Sequence, residues 1–295
     1  MEIELEPVKR LSKDLALAAQ TLSIAEARFL TDSYYMMQGS RVRANNQDKA
    51  LEKTGAPHAV LSWLKSQDEV LESQIKRALD KYTDAHPIGI WAKSIVGIGP
   101  VISAGLISSL AVEKEYTNEE TGEVTLKTFE TAGDFYGYCG LNPEQKKIKG
   151  QKINWNPALK RLCWIIGESF VKISGHDEGF YGKIYKERKE YETKKNEAGD
   201  YAEQSKATLE AKKFSKDTEA YKAYSVGKLP LAHIHERSKR YAVKIFLSHL
   251  HDVWYFMHFN KLPPKPYAIN KLGHVHIIYP PNLHLVEGMK EAYGL

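Results

Sequence analysis

Six basic side chains, Lys146, Lys147, Lys149, Lys152, Lys160 and Arg161, fall between residues 144 and 161 against one acidic residue, Glu144, with Trp155 among them. Lysine and arginine at this density neutralise phosphates and release their counterions, which suits a nucleic-acid backbone; a solvated run of charge has the same composition. A second basic group, Arg237, Arg240 and Lys244, is spaced i, i+3 and i+7 and so shares one helix face. Opposite it stand Phe246, Leu247, Leu250 and Trp254, so these cations are also the expected solvent side of an amphipathic helix.

A third candidate is the turn in KSIVGIGPVISAGLISSL, residues 93–110, where Gly97, Ile98 and Gly99 interrupt a helical pattern that resumes at Pro100. Two glycines flanking one apolar residue between helices is the pattern of a helix-hairpin-helix. In that module bare backbone N–H groups and a helix N-terminus hold one DNA phosphate. A packing corner between helices needs glycine there too. No strand precedes this turn and no Gly-Lys-Ser/Thr follows it, so it is not a nucleotide-binding loop.

Histidines occur as His233/His235, His249/His251 and His274/His276, a spacing that can chelate a metal from a strand but not from one helix face. Only the last pair, in HVHIIY, reads as extended. No metal and no cofactor is expected. Cys139 and Cys163 each sit in an apolar stretch, which predicts buried thiols in a reducing, cytoplasmic setting.

The elements that must carry these residues follow from periodicity. Residues 1–86 read as a helical hairpin or short coiled coil, with Leu61, Leu64, Leu71, Ile75 and Leu79 forming a stripe that packs within the chain or pairs two copies in a homo-oligomer. Residues 87–260 read as a helical core with a small inserted β-hairpin over 115–129, turning at Thr121-Gly122. Within that core lie helices over about 158–173 and 230–259 and one long, exposed, charged helix over 179–225. Residues 261–295 read as an extended tail rich in proline and histidine. The fold class is mainly α.

The chain has 295 residues, a net charge of +5 and 27% charged residues, which permits a sizeable core and a nucleic-acid partner without demanding one. No segment reaches the roughly 20 apolar residues of a membrane span, so no membrane partner is expected.

Taken in order, SIVGIGPVISAGLISSL, DFYGYCGLNP, KGQKINWNPALKRLCWIIGESFVK, FYGKIYKERK and KRYAVKIFLSHL resemble the C-terminal half of transposases related to the Piv invertase. That group recombines DNA and in several members is guided by a bridge RNA. The resemblance covers about residues 90–255 and implies DNA, and structured RNA, as partners. It places a nucleophilic serine in the loop after GL-x-P, where this chain reads GLNPEQKKIKGQK, and no serine occurs between Ser109 and Ser169. The family's metal-binding RuvC-like domain is α/β, whereas the first 85 residues here are helical in pattern. The expectation is a protein that binds DNA structure-selectively or non-specifically, without strand-exchange chemistry. The alternatives are a nuclease or recombinase using residues such as His176, Asp177 and Glu178 or a partner's catalytic domain, and a helical assembly protein that contacts nucleic acid.

Overall fold

The computed structural model describes residues 10–53, 55, 59–117, 121–145, 147–264 and 277–295. It is mainly helical, with twelve α-helices and one two-stranded antiparallel sheet among the described residues. Contacts divide the chain into two units, 1–94 with 98–111 and 95–97 with 112–295.

In the first unit, α1 (Lys13–Ala18) begins where Ser12 Oγ accepts from the Leu15 N–H at 3.1 Å. The helix α2 (Ile24–Leu51) begins at a reciprocal cap: Glu26 N–H donates to Ser23 Oγ, and Ser23 N–H donates to the Glu26 carboxylate. The helix α3 (Ala59–Asp84) runs antiparallel to α2, as the pairs Asp48–Lys65 at 3.8 Å and Arg41–Glu72 at 2.6 Å require. The helices α4 (Pro87–Lys93) and α5 (Pro100–Ile107) each start with proline, whose missing N–H costs nothing in a first turn. Both pack with the N-terminal helices around Leu79, Tyr82, Trp91, Ala104 and Leu106, although the sequence reading grouped them with 87–260. Apolar content explains this: α5 buries Val101, Ala104, Leu106 and Ile107 and needs a partner on most of its surface. The α3 stripe is only partly used. Leu79 is buried, while Leu64 and Leu71 remain exposed.

In the second unit, β1 (Glu113–Thr117) pairs with β2 (Val124–Thr128), Glu113 opposite Thr128 and Thr117 opposite Val124, close to the expected hairpin. There follow α6 (Ala132–Tyr138), α7 (Pro157–Lys172), α8 (Phe180–Glu197), α9 (Ala202–Ala211), α10 (Glu219–Ser225), α11 (Leu231–Phe259) and α12 (Met289–Tyr293). At 29 residues α11 is about 44 Å long and forms the spine against which α6, α7 and α8 pack. Its buried residues Ile234, Ser238, Ala242, Phe246, Leu250 and Val253 recur every three or four positions. Phe170 stacks on Tyr181 at 5.0 Å and meets Phe246 edge-on at 5.7 Å.

Two expectations are corrected. Residues 179–225 form three helices, not one exposed rod: α8 ends at Gly199, whose φ of 87° a β-carbon disfavours, and 212–218 separate α9 from α10. These helices bury Tyr181, Ile184, Tyr185, Tyr201 and Tyr224, so their apolar face is built largely from tyrosine rings. The described part of the tail is not extended throughout. Leu283, Val286 and Met289 are buried in a short 3₁₀ turn and α12, while residues 265–276, with His274 and His276, lie outside the described residues. No described helix is long and apolar enough to cross a membrane.

Candidate nucleic-acid interface

One flank of α11 carries Arg237, Arg240, Tyr241 and Lys244, the i, i+3, i+4, i+7 set that faces one way on a helix. The α8 residue Arg188 and the α7 residue Lys160 approach the same place. Gly140, Leu141, Asn142, Pro143 and Gln145, at the start of the α6–α7 loop, close it. That loop is pinned where it returns: the Asn156 N–H donates to the Tyr138 carbonyl at 2.9 Å, and Asn156 Oδ1 then caps α7. The result is a cleft of about 580 Å³ with five cations and no carboxylate among its lining residues.

Two of the cations are held from beneath. Glu192, fully buried on α8, lies 2.5 Å from Arg188 Nη2 and 3.0 Å from Arg237 Nε, and accepts a hydrogen bond from the Tyr201 hydroxyl. Burial alone would raise the Glu192 pKa, but the Tyr201 hydrogen bond and the two guanidinium groups outweigh it and hold the carboxyl below its usual range. Burial, reinforced by that same bond, pushes the Tyr201 hydroxyl up to about 12. The Arg188 guanidinium also lies 4.5 Å from the Tyr241 ring and 4.8 Å from the Tyr191 ring. Its Nε–H is buried without an acceptor among the described residues.

The other cations are less satisfied. Lys160 sits over Trp155 at 4.5 Å and Lys244 over Tyr136 at 5.3 Å. Neither Arg240 nor Lys244 has a carboxylate partner among the described residues. Burial, and secondarily the charge of Arg240, lowers the Lys244 pKa from its ordinary value. An anion entering here would relieve that repulsion and gain several charge-assisted hydrogen bonds at once.

Four of the twelve candidate residues, Lys160, Arg237, Arg240 and Lys244, thus converge. Lys147, Lys149 and Lys152 are exposed on the α6–α7 loop and Arg161 is exposed on α7, all outside the cleft lining. Lys146 lies outside the described residues. Arg188 was not anticipated. Its signal was present as Arg188 and Glu192 at i, i+4 with Tyr185 and Tyr191 at i−3 and i+3, but it was hidden within a run read as solvated charge.

At the Gly-Ile-Gly turn, Gly97 has φ of 95°, and its carbonyl accepts from Ser169 Oγ at 2.6 Å. A β-carbon there would stand 3.0 Å from that oxygen, so backbone and packing account for this glycine. Ile98 is buried. Gly99 is the extended N-cap of α5, where a β-carbon meets only open space, so a phosphate role for the turn rests on Gly99 rather than Gly97.

The described histidine pairs are engaged within the fold. Tyr224, Tyr185 and Tyr181 hydroxyls lie within 3.1 Å of Nδ1 of His233, His235 and His249, and His251 Nε2 is 2.7 Å from the Phe129 carbonyl. Glu168, His235 and Glu236 lie close enough to share a cation. Lys239 Nζ already stands 2.5 and 2.6 Å from the two carboxylates and occupies the space between them, so the cluster fits an internal ammonium better than a metal. His176 forms the turn before α8, accepting the Glu178 N–H at Nδ1. Compared with protein-family models, curated proteins and solved structures, the chain matches none of them.

Proposed function

We propose that this protein binds nucleic acid through the cleft between α7, α8 and α11, gripping the sugar–phosphate backbone without strand-exchange chemistry. The convergence of five cations with no lining carboxylate carries this reading. The resemblance of residues 90–255 to the C-terminal half of Piv-related transposases supports DNA, with structured RNA as a second partner. The buried free thiols Cys139 and Cys163 fit a reducing, cytoplasmic setting.

Binding measured across a salt series tests it. Changing Lys160, Arg240 and Lys244 together to Ala leaves the Glu192 pairs intact. It should flatten the slope of log affinity against log salt by about 2–3 units, at about 0.7–0.9 per lost phosphate contact. An unchanged slope would remove the cleft as the binding site. Nicking or a covalent adduct on supercoiled or branched DNA with magnesium or manganese would overturn the binding-only reading in favour of an enzyme.

The hairpin of α2 and α3 favours a second property, self-association. Phe29, Met36 and Leu64 are 71%, 63% and 45% exposed along it, apolar surface that a second copy could cover. Leu64→Lys with Leu71→Lys changes two exposed positions and should convert a dimer to a monomer in sedimentation with helicity retained. A wild type that sediments as a monomer at tens of micromolar would end this idea.

A further inference from the structure

We propose that the cleft is shaped for a single strand, DNA or RNA, whose bases leave it across Tyr191; this rests on reading the cleft as a phosphate site. The five cations are layered. Lys160 and Arg240 are exposed at the rim, whereas Arg188, Arg237 and Lys244 are half-buried below it. A volume of about 580 Å³ is that of a small-ligand pocket, room for on the order of one or two nucleotides. A duplex carries its phosphates on a convex, stiff cylinder with the bases stacked inside. It can reach the rim but cannot lower a phosphate to Lys244 and Arg188. A single strand can bend its backbone into the concavity, and its unstacked bases then need an aromatic surface.

Tyr191 supplies that surface. Its side chain lies one helical turn beyond Arg188 on α8 and is 50% exposed, with the Arg188 guanidinium 4.8 Å and the Lys195 ammonium 5.7 Å from its ring. Arg188 lies against both rings, but Tyr241 is half-buried in the cleft lining, whereas Tyr191, just outside that lining, keeps half its surface open to a base. Cations beside an exposed aromatic ring form the usual combination for sequence-tolerant strand binding.

The test uses short single-stranded DNA, single-stranded RNA and the blunt duplex of the same sequence at one salt concentration. At least one single strand should bind about tenfold or more tightly than the duplex. Tyr191→Ala should weaken single-strand binding about tenfold, leave the residual duplex binding unchanged and leave the salt slope unchanged, because no charge is lost. Tyr191→Phe should retain the affinity, which separates stacking from a general loss of fold. A duplex that binds as tightly as either strand, or a Tyr191→Ala variant equally weak on both, overturns the single-strand inference while the phosphate cleft stands. Failure of every nucleic acid to bind overturns both.

Discussion

Glu192→Ala will lower the stability of the protein by about 3 kcal/mol, and Glu192→Gln will fold yet bind nucleic acid more weakly than the wild type. The alanine variant strands two guanidinium groups and the Tyr201 hydroxyl around a buried void, and removing one partner of a buried ion pair costs roughly 3–5 kcal/mol. Arg188 and Arg237 keep 28% and 35% of their side-chain surface, so water recovers part of that loss and the lower end applies. Urea unfolding measures it. Glutamine keeps an acceptor for Tyr201 and the shape of the site but removes one negative charge. Simple charge counting then predicts tighter binding of an anion, since the cleft is more positive. If Glu192 instead serves to hold both guanidinium groups in place, their disorder costs more than the added charge gains, and affinity falls. Tighter binding by Glu192→Gln would show that the arginines need no anchor.

Much of this scaffold was legible because it obeys one period at a time. The apolar positions of α11 recur every three or four residues, Pro100 marks the start of α5, and Thr121-Gly122 sits between two short alternating runs, so each announces itself locally. The cleft was half legible for the same reason: Arg237, Arg240 and Lys244 share a face of one helix. What brings Arg188 beside them is the packing of α8 on α11, a contact between residues about fifty positions apart that no local window contains. Tyrosine caused the other misreading. Tyr181, Tyr185, Tyr201 and Tyr224 are counted as half-polar, yet each is buried with its hydroxyl close to a histidine nitrogen or a carboxylate, so a run that looked solvated is a set of three packed helices. The α6–α7 lysines show the converse. Their density is real, but a loop displays charge in many directions, and only Lys160, the residue already inside α7, reaches the cleft.

Burial also makes the fold sensitive to mild acid, and His249 carries the largest part of that sensitivity. Its Nε2 lies 2.8 Å from the Ile278 carbonyl, which can only accept, so Nε2 bears the proton; Nδ1, 2.8 Å from the Tyr181 hydroxyl, accepts. Burial lowers the pKa of this ring from 6.5 to about 4, against the opposing influences of Asp252 and the Ile278 carbonyl. Below pH 6.5 the unfolded chain therefore takes up a proton that the native state refuses. Stability is full above that pH and falls as the pH drops toward 4, by roughly 1.4 kcal/mol per unit and about 3 kcal/mol in all. His233, lowered by burial and by Arg240 and Arg237, adds to the loss in the same direction. Glu192, Glu168 and Asp84 have lowered pKa values, so their stabilisation is lost only below about pH 4.5, which leaves the interval from 6.5 to 5 to the histidines. His249→Asn should be less stable than the wild type at pH 7 and should lose most of the pH slope between 6.5 and 5 in urea titrations. An undiminished slope in that variant would mean that the acid sensitivity arises elsewhere, because a side chain without a titratable ring cannot contribute to it.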